Sequence, residues 1–175
     1  MSEKTVLDLM KTRRSVRKYK PDPVPDELIE KVIEAGLFAA SGMSMQGSIV
    51  IAVTDKGLRD RLAKLNAEIA GASQDMFYGA PVVLVVLSDK SVPTYLYDGS
   101  LVIGNMMLEA HELGLGSCWI HRAKQTFELP EGKAILKELG IEGDYEGIGN
   151  CILGYAENDE EKIIPRKENR VYYAK

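Results

Sequence analysis

The chain has 175 residues, 45% apolar and 27% charged, which fits one globular domain spanning residues 1–175 and excludes a disordered or fibrous chain. A net charge of −4 excludes a nucleic-acid binder, which needs an excess of Lys and Arg on one face. The longest strongly apolar run, Val82 to Leu87, is six residues, far short of the ~20 that cross a bilayer.

Thr5 to Thr12 reads as a short helix with Val6, Leu7 and Met10 on one side. Pro21, Pro23 and Pro25 make the next stretch extended. Asp26 is expected to cap a helix running to about Ala40, with Ile29, Val32, Ile33 and Leu37 inward. Ser48 to Thr54 is a β-branched strand. Lys56 to Ala70 carries Leu58, Leu62, Leu65 and Ile69 at helical spacing. Pro81 to Ser88 is apolar throughout and predicts a central strand covered on both faces. Tyr97 to Leu113 predicts a helix apolar nearly all round, suited to a core or a subunit interface, closed by Gly114. Gly116 to Ile120 is a third strand, Glu131 to Leu139 a short helix and Gly149 to Tyr155 a fourth strand. From Glu157 the chain turns into a polar tail, residues 157–175. The alternation predicts an α+β fold, a three-layer α/β/α sandwich with a mixed, mostly antiparallel sheet.

The net charge hides an asymmetry. Residues 11–20 hold six basic residues and no acid, and residues 162–175 hold five basic residues and one acid. The other 151 residues hold 11 basic and 25 acidic residues. Two short basic segments therefore flank an acidic chain.

Cys118 and Cys151 are too few for a disulfide framework and read as buried free thiols, which fits a reducing, cytoplasmic setting. The N-terminus has no apolar run of the kind a secretory signal needs. His111 and His121 are the only imidazoles, and the thiols do not cluster with carboxylates, so no metal site is expected. His111, between Glu109 and Glu112, reads as a solvated helix residue. Gly114-x-Gly116 lacks the third glycine of a dinucleotide fingerprint, and Gly149 to Gly154 lacks the Lys-Ser/Thr pair of a P-loop. What remains is Arg13-Arg14-Ser15-x-Arg17, three guanidiniums and a hydroxyl within five residues. Such a set suits a phosphate monoester, since arginine meets phosphate oxygens as a fork. On composition alone it equally describes a solvated basic turn.

Further segments extend the pattern. Arg13 to Tyr19 is followed by Pro23-Val24-Pro25; Ala39 to Gln46 runs into a strand; Ala80-Pro81 precedes the apolar strand. Gly104 to Ala110, Leu113 to Ile120, Leu153-Gly154-Tyr155 and Pro165-Arg166-Lys167 follow in order. In this order they resemble the nitroreductase family of FMN-dependent oxidoreductases along nearly the whole chain.

The resemblance implies a nitroreductase-like fold and an obligate homodimer with FMN at its interface. It implies that Arg13, Ser15 and Arg17 hold the FMN phosphate and ribityl chain, with Arg14 beside them and Arg166 or Lys167 returning to the same phosphate. Asn66 falls where the family sets a side chain against the flavin ring. Backbone N–H groups of Ile120, His121 and Arg122 fall near its N5 edge. Ser41, Ser44 and Gln46 would come from the partner subunit, although Ser44 stands where many members have Asn, and Gly47-Ser48 where they have Pro-Trp. The implied activity is a ping-pong transfer of electrons from NAD(P)H to a nitroaromatic, quinone or similar electron-poor acceptor. Alternatives within the same fold are a flavin carrier or sensor with little turnover, or a specialised relative acting in reductive dehalogenation or flavin breakdown. Met76, Phe77 and Tyr78 are candidates to close the acceptor pocket. No membrane or nucleic-acid partner is implied.

Overall fold

The structure is a computed structural model describing residues 5–158 and 163–175; residues 159–162, part of the polar tail and including its Lys162, lie outside the described residues. The elements run α1 (Val6–Thr12), α2 (Asp26–Leu37), β1 (Ser48–Val53), α3 (Lys56–Ala70), β2 (Val82–Asp89), α4 (Tyr95–Glu112), β3 (Gly116–Ile120), α5 (Ala123–Glu128), α6 (Pro130–Glu138) and β4 (Tyr145–Gly154). A 3₁₀ turn at Gly42–Ser44 precedes β1.

Local chemistry explains most boundaries. Thr5 and Asp8 form a capping box that starts α1. Asp55 accepts from Leu58 N–H and starts α3, and Gly71 ends it at φ 64°. The expected Asp26 cap is not found: Pro25 occupies the N-cap of α2, and Asp26 is its first helical residue. That helix also stops three residues short of Ala40, leaving Leu37 exposed rather than inward. Its buried line is Ile29, Val32 and Gly36.

The sheet order is β1-β2-β4-β3, and every pair of strands is antiparallel. The mixed sheet expected from alternating helices and strands is therefore corrected: the parallel contact is confined to one isolated bridge between Ser15 and Ser117. β2 is interior, and Val82 to Ser88 is buried without interruption, as an apolar strand covered on both faces must be. Side chains alternate between two clusters. Val83, Val85, Leu87, Cys118 and Ile152 pack with Leu62 and Leu65 of α3, Phe127 of α5 and Ile135 of α6. Val82, Leu84, Val86, Cys151 and Leu153 pack with Ile29 and Val32 of α2 and with Val102, Ile103 and Met106 of α4. The two cysteines are free and buried in opposite clusters. Complete burial pushes the Cys151 thiol up to about 12, so it stays a neutral, unreactive packing group.

Phe77 is a core residue, 1% exposed and with the Arg59 guanidinium 5.7 Å from its ring centroid; it does not line an open pocket. Among the described residues no helix is long and apolar enough to cross a membrane. Leu84 at the middle of β2 has no solvent exposure, so Leu84→Ala is expected to cost about 2–5 kcal/mol, measured as a lowered midpoint in denaturant unfolding with an unchanged slope.

Candidate functional site

The basic segment after α1 is fastened to the free edge of β3. Val16 N–H donates to the Ser117 carbonyl at 2.9 Å, and Ser15 bridges Ser117. Lys20 N–H then donates to the Tyr155 carbonyl at 2.8 Å, and Glu157 N–H to the Lys18 carbonyl at 3.1 Å. Tyr19 is buried and donates its hydroxyl to the Val16 carbonyl at 2.8 Å. Gly116 permits this approach, because a Cβ there would lie 2.9 Å from Val16 Cγ2.

Beside this tether the Arg13 side chain is partly buried. Its Nη1 is buried and has no hydrogen-bond partner. Burial first, then the adjacent Arg14 charge, hold the Arg13 pKa below its usual value, and Arg166 of the tail adds to the effect. Arg166 is thus the one residue of the described tail whose charge is felt at Arg13, and the weakest of the effects on it. Ser117 Oγ, on the strand that carries the bridge, is a second buried polar atom without a partner. Arg14 is held by a hydrogen bond from its Nη2 to the Lys11 carbonyl. Ser15, Arg17, Arg166 and Lys167 are exposed.

His111 is half-buried rather than solvated. Thr12 Oγ1 donates to the Asp8 carbonyl at 2.8 Å and lies 2.8 Å from His111 Nε2. The contact joins the end of α1, just before the arginines, to the last turn of α4.

The other end of β3 is a turn held from below by two asparagines. Asn66, 1% exposed on the inner face of α3, donates through Nδ2 to the His121 carbonyl at 2.9 Å. Its Oδ1 accepts from Arg122 Nε at 3.1 Å. Asn150 of β4 donates to the Ile120 carbonyl at 3.2 Å and to the His121 carbonyl at 3.4 Å. Asn66 therefore acts on the turn through both ends of its amide. With those carbonyls engaged, the backbone of Ile120, His121 and Arg122 is fixed, with Arg122 left-handed at φ 78°. Four residue steps separate Ser117 from His121, about 13 Å of strand. The arginine cluster and this turn therefore lie at opposite ends of one short strand.

Ser41, Ser44 and Gln46 are not brought to the arginines within one chain. Their segment is anchored at the other end of α4. Asp98, in the first turn and 6% exposed, accepts from Gly42 N–H with both carboxylate oxygens at 3.2 Å and from Thr94 Oγ1 at 2.8 Å. A Cβ on Gly42 would collide with Thr94. Ser41 Oγ accepts from Gln46 N–H at 3.2 Å. Met43, Ser44 and Gln46 all have positive φ, between 50° and 55°, a strained set that persists only when its surroundings over-determine it. Asp98 and His111 are 13 residues apart on one helix, about 20 Å of axis. A cavity of about 250 Å³ lies between this segment and α2, lined by Leu37, Ala40, Ser41, Gln46, Asp98 and Val102.

Sequence reasoning missed Asp98, Ser117 and Asn150. Asn150 had a readable signal, a lone amide inside the apolar run Ile148 to Leu153, since a buried amide needs partners.

Comparisons with known proteins identify the family. The model of the nitroreductase family matches residues 10–71 and 66–155. The chain belongs to the nitroreductase family. A Methanothermobacter thermautotrophicus protein named NADH dehydrogenase/NAD(P)H nitroreductase is 30% identical over 144 residues, 75% of this chain and 73% of that one. One of the same name from Archaeoglobus fulgidus is 30% identical over 160 residues, 89% of this chain and 87% of that one. The crystal structure of a Bacteroides fragilis nitroreductase with bound FMN superposes with a TM-score of 0.86 at 28% identity, covering 98% of this chain and all of that one. As a nitroreductase-family protein, this chain is an oxidoreductase by class.

Removing the Asn66 amide leaves Arg122 Nε without its partner and the His121 carbonyl with only the longer Asn150 bond, in a partly buried setting. Asn66→Ala is expected to destabilise the fold by about 1–3 kcal/mol, read by denaturant unfolding, and to speed amide hydrogen exchange at residues 120–122.

Proposed function

We propose that this chain is an FMN-dependent oxidoreductase that takes electrons from NAD(P)H and delivers them to an electron-poor acceptor. The observation that carries the reading is the buried, partnerless Nη1 of Arg13 beside Arg14 and Arg166. A guanidinium does not deprotonate in a protein, and a buried charge needs a counter-charge. No described carboxylate pairs with Arg13. A phosphate monoester supplies nearly two negative charges and several acceptor oxygens. Ser15, Arg17, Arg166 and Lys167 are exposed and so free to meet the same phosphate, and Ser117 Oγ offers a further polar atom.

The ring of such a ligand has its natural place at the far end of β3. There Asn66 and Asn150 hold the carbonyls of Ile120 and His121, and the backbone N–H groups of Ile120, His121 and Arg122 serve the ring edge. Bound FMN supplies the two-electron chemistry, which no acid–base pair of this chain offers. Donor and acceptor use the open side of the site in turn, a ping-pong sequence. Nitroaromatics and quinones are the acceptor class we infer, since the enzymes similar to this chain are named for nitroreductase and NADH dehydrogenase activities.

The site is completed by a second copy of the chain, in a three-layer protomer that dimerises. Phe38 is 81% exposed and Tyr97 73%. Val6, Leu7, Met10, Met43 and Leu101 are also exposed, an apolar surface of the kind that marks an interface. A strained segment holding Ser41, Ser44 and Gln46 about 20 Å along α4 from the same chain's arginines is suited to a neighbour's site.

The purified protein is expected to be yellow, to bleach with NADH or NADPH and to recolour with a nitroaromatic or quinone. A protein that takes up no flavin from added FMN contradicts the reading. Arg13→Ala is expected to raise the FMN Kd at least about tenfold, since hydrogen bonds to charged groups contribute about 1.5–3 kcal/mol, in a flavin-fluorescence titration. Sedimentation is expected to give a dimer.

A further inference from the structure

Arg122 occupies a backbone conformation suited to glycine, φ 78° and ψ 9°. It stands at the N-cap of α5 and makes no side-chain cap hydrogen bond there, so helix α5 gives no reason for a long side chain. The neighbouring carbonyls are held by Asn66 and Asn150, which keeps the residue in this conformation. The guanidinium itself is anchored at one end only. Nε donates to Asn66 Oδ1 at 3.1 Å. The two Nη groups have no hydrogen bond or ion pair with a described residue, and neither is among the buried orphan atoms. Neighbouring Lys124, by contrast, is paired with Glu146 and Glu128. His121 beside it is exposed.

The outcome is a pre-aimed cationic fork. Fixing Nε removes rotamer freedom that binding would otherwise have to remove. The open Nη pair matches the two oxygens of a carboxylate or phosphate. We propose that Arg122 is a specificity-determining residue that receives an oxyanion carried by the molecule using the open side of the site. It rests on the reading that a flavin ring lies against residues 120–122. The oxyanion has two chemical sources, a carboxylate on the acceptor or the 2′-phosphate of NADPH.

The test uses FMN-loaded wild type, Arg122→Gln and Arg122→Lys. Gln Nε2 stands the same number of bonds from Cα as Arg Nε, so Arg122→Gln keeps a donor for Asn66 and removes only the charged fork. Binding is read from the flavin absorption on titration with benzoate and with benzamide, neither of which is reduced. Turnover is read as the kcat/KM ratio of 4-nitrobenzoate to 4-nitrobenzamide, and as the ratio of NADPH to NADH with the neutral acceptor. For a carboxylate, Arg122→Gln is expected to weaken benzoate about tenfold relative to benzamide. The 4-nitrobenzoate ratio then falls equally, mainly through KM, and Arg122→Lys recovers part of both. A fall in the NADPH to NADH ratio instead assigns the fork to the donor phosphate and also supports the proposal. Unchanged ratios in Arg122→Gln overturn it, as does a rise in the FMN Kd that matches the loss for benzoate, which would give the fork to the flavin. Failure of the wild type to bind FMN overturns the underlying flavin reading and is seen in the first titration, before any variant is compared.

Discussion

The arrangement depends on one unpaid electrostatic debt, the Arg13 guanidinium held half-buried with Nη1 unpartnered. Two more cations, Arg14 and Arg166, depress its pKa further. Folding a largely acidic chain so that its two basic ends act on each other is unfavourable unless something anionic joins them. A compact phosphate, as proposed above for FMN, would do so without the long basic face that a polyanion requires. The mild net charge of the whole chain is consistent with this, because the relevant charge is local.

The fold supplies the distances. β3 is short and at the sheet edge, so its outer side is open to the Arg13–Tyr19 segment, and its end leads directly into the Ile120–Arg122 turn. Two buried amides on different elements, Asn66 on α3 and Asn150 on β4, hold that turn. α4 acts as a rigid spacer of 18 residues: at one end His111 meets Thr12 next to the arginines, and at the other Asp98 grips Gly42. A core residue such as Met106, packed against Gly36 of α2, fixes that spacer against the sheet.

Much of this was legible in the residues. The helix Lys56 to Ala70 and the strand Gly116 to Ile120 match their expected limits, because each has clear punctuation, Asp55 and Gly71 for one and Gly114 for the other. The short helix α5 was not legible: its six residues show no apolar period and it starts from a left-handed Arg122 rather than a polar cap. Strand order and direction were also hidden, since pairing depends on partners far away in sequence; alternation suggested some parallel pairing where the strands have none. The basic clusters were visible by counting, but not the burial of Arg13 Nη1, which is a property of the folded chain and not of the local sequence. Asp98 read as one more acid in a helix, and its grip on Gly42 spans 56 residues.

In the function proposed above, Arg13 and its neighbours hold the phosphate rather than the ring. Equilibrium binding of FMN and of riboflavin, which lacks the phosphate, to wild type and Arg13→Ala tests this most directly. Wild type is expected to bind FMN far more tightly than riboflavin, and Arg13→Ala to close most of that gap while leaving riboflavin affinity nearly unchanged. Equal affinity of wild type for the two flavins, or a gap that survives the substitution intact, would contradict it.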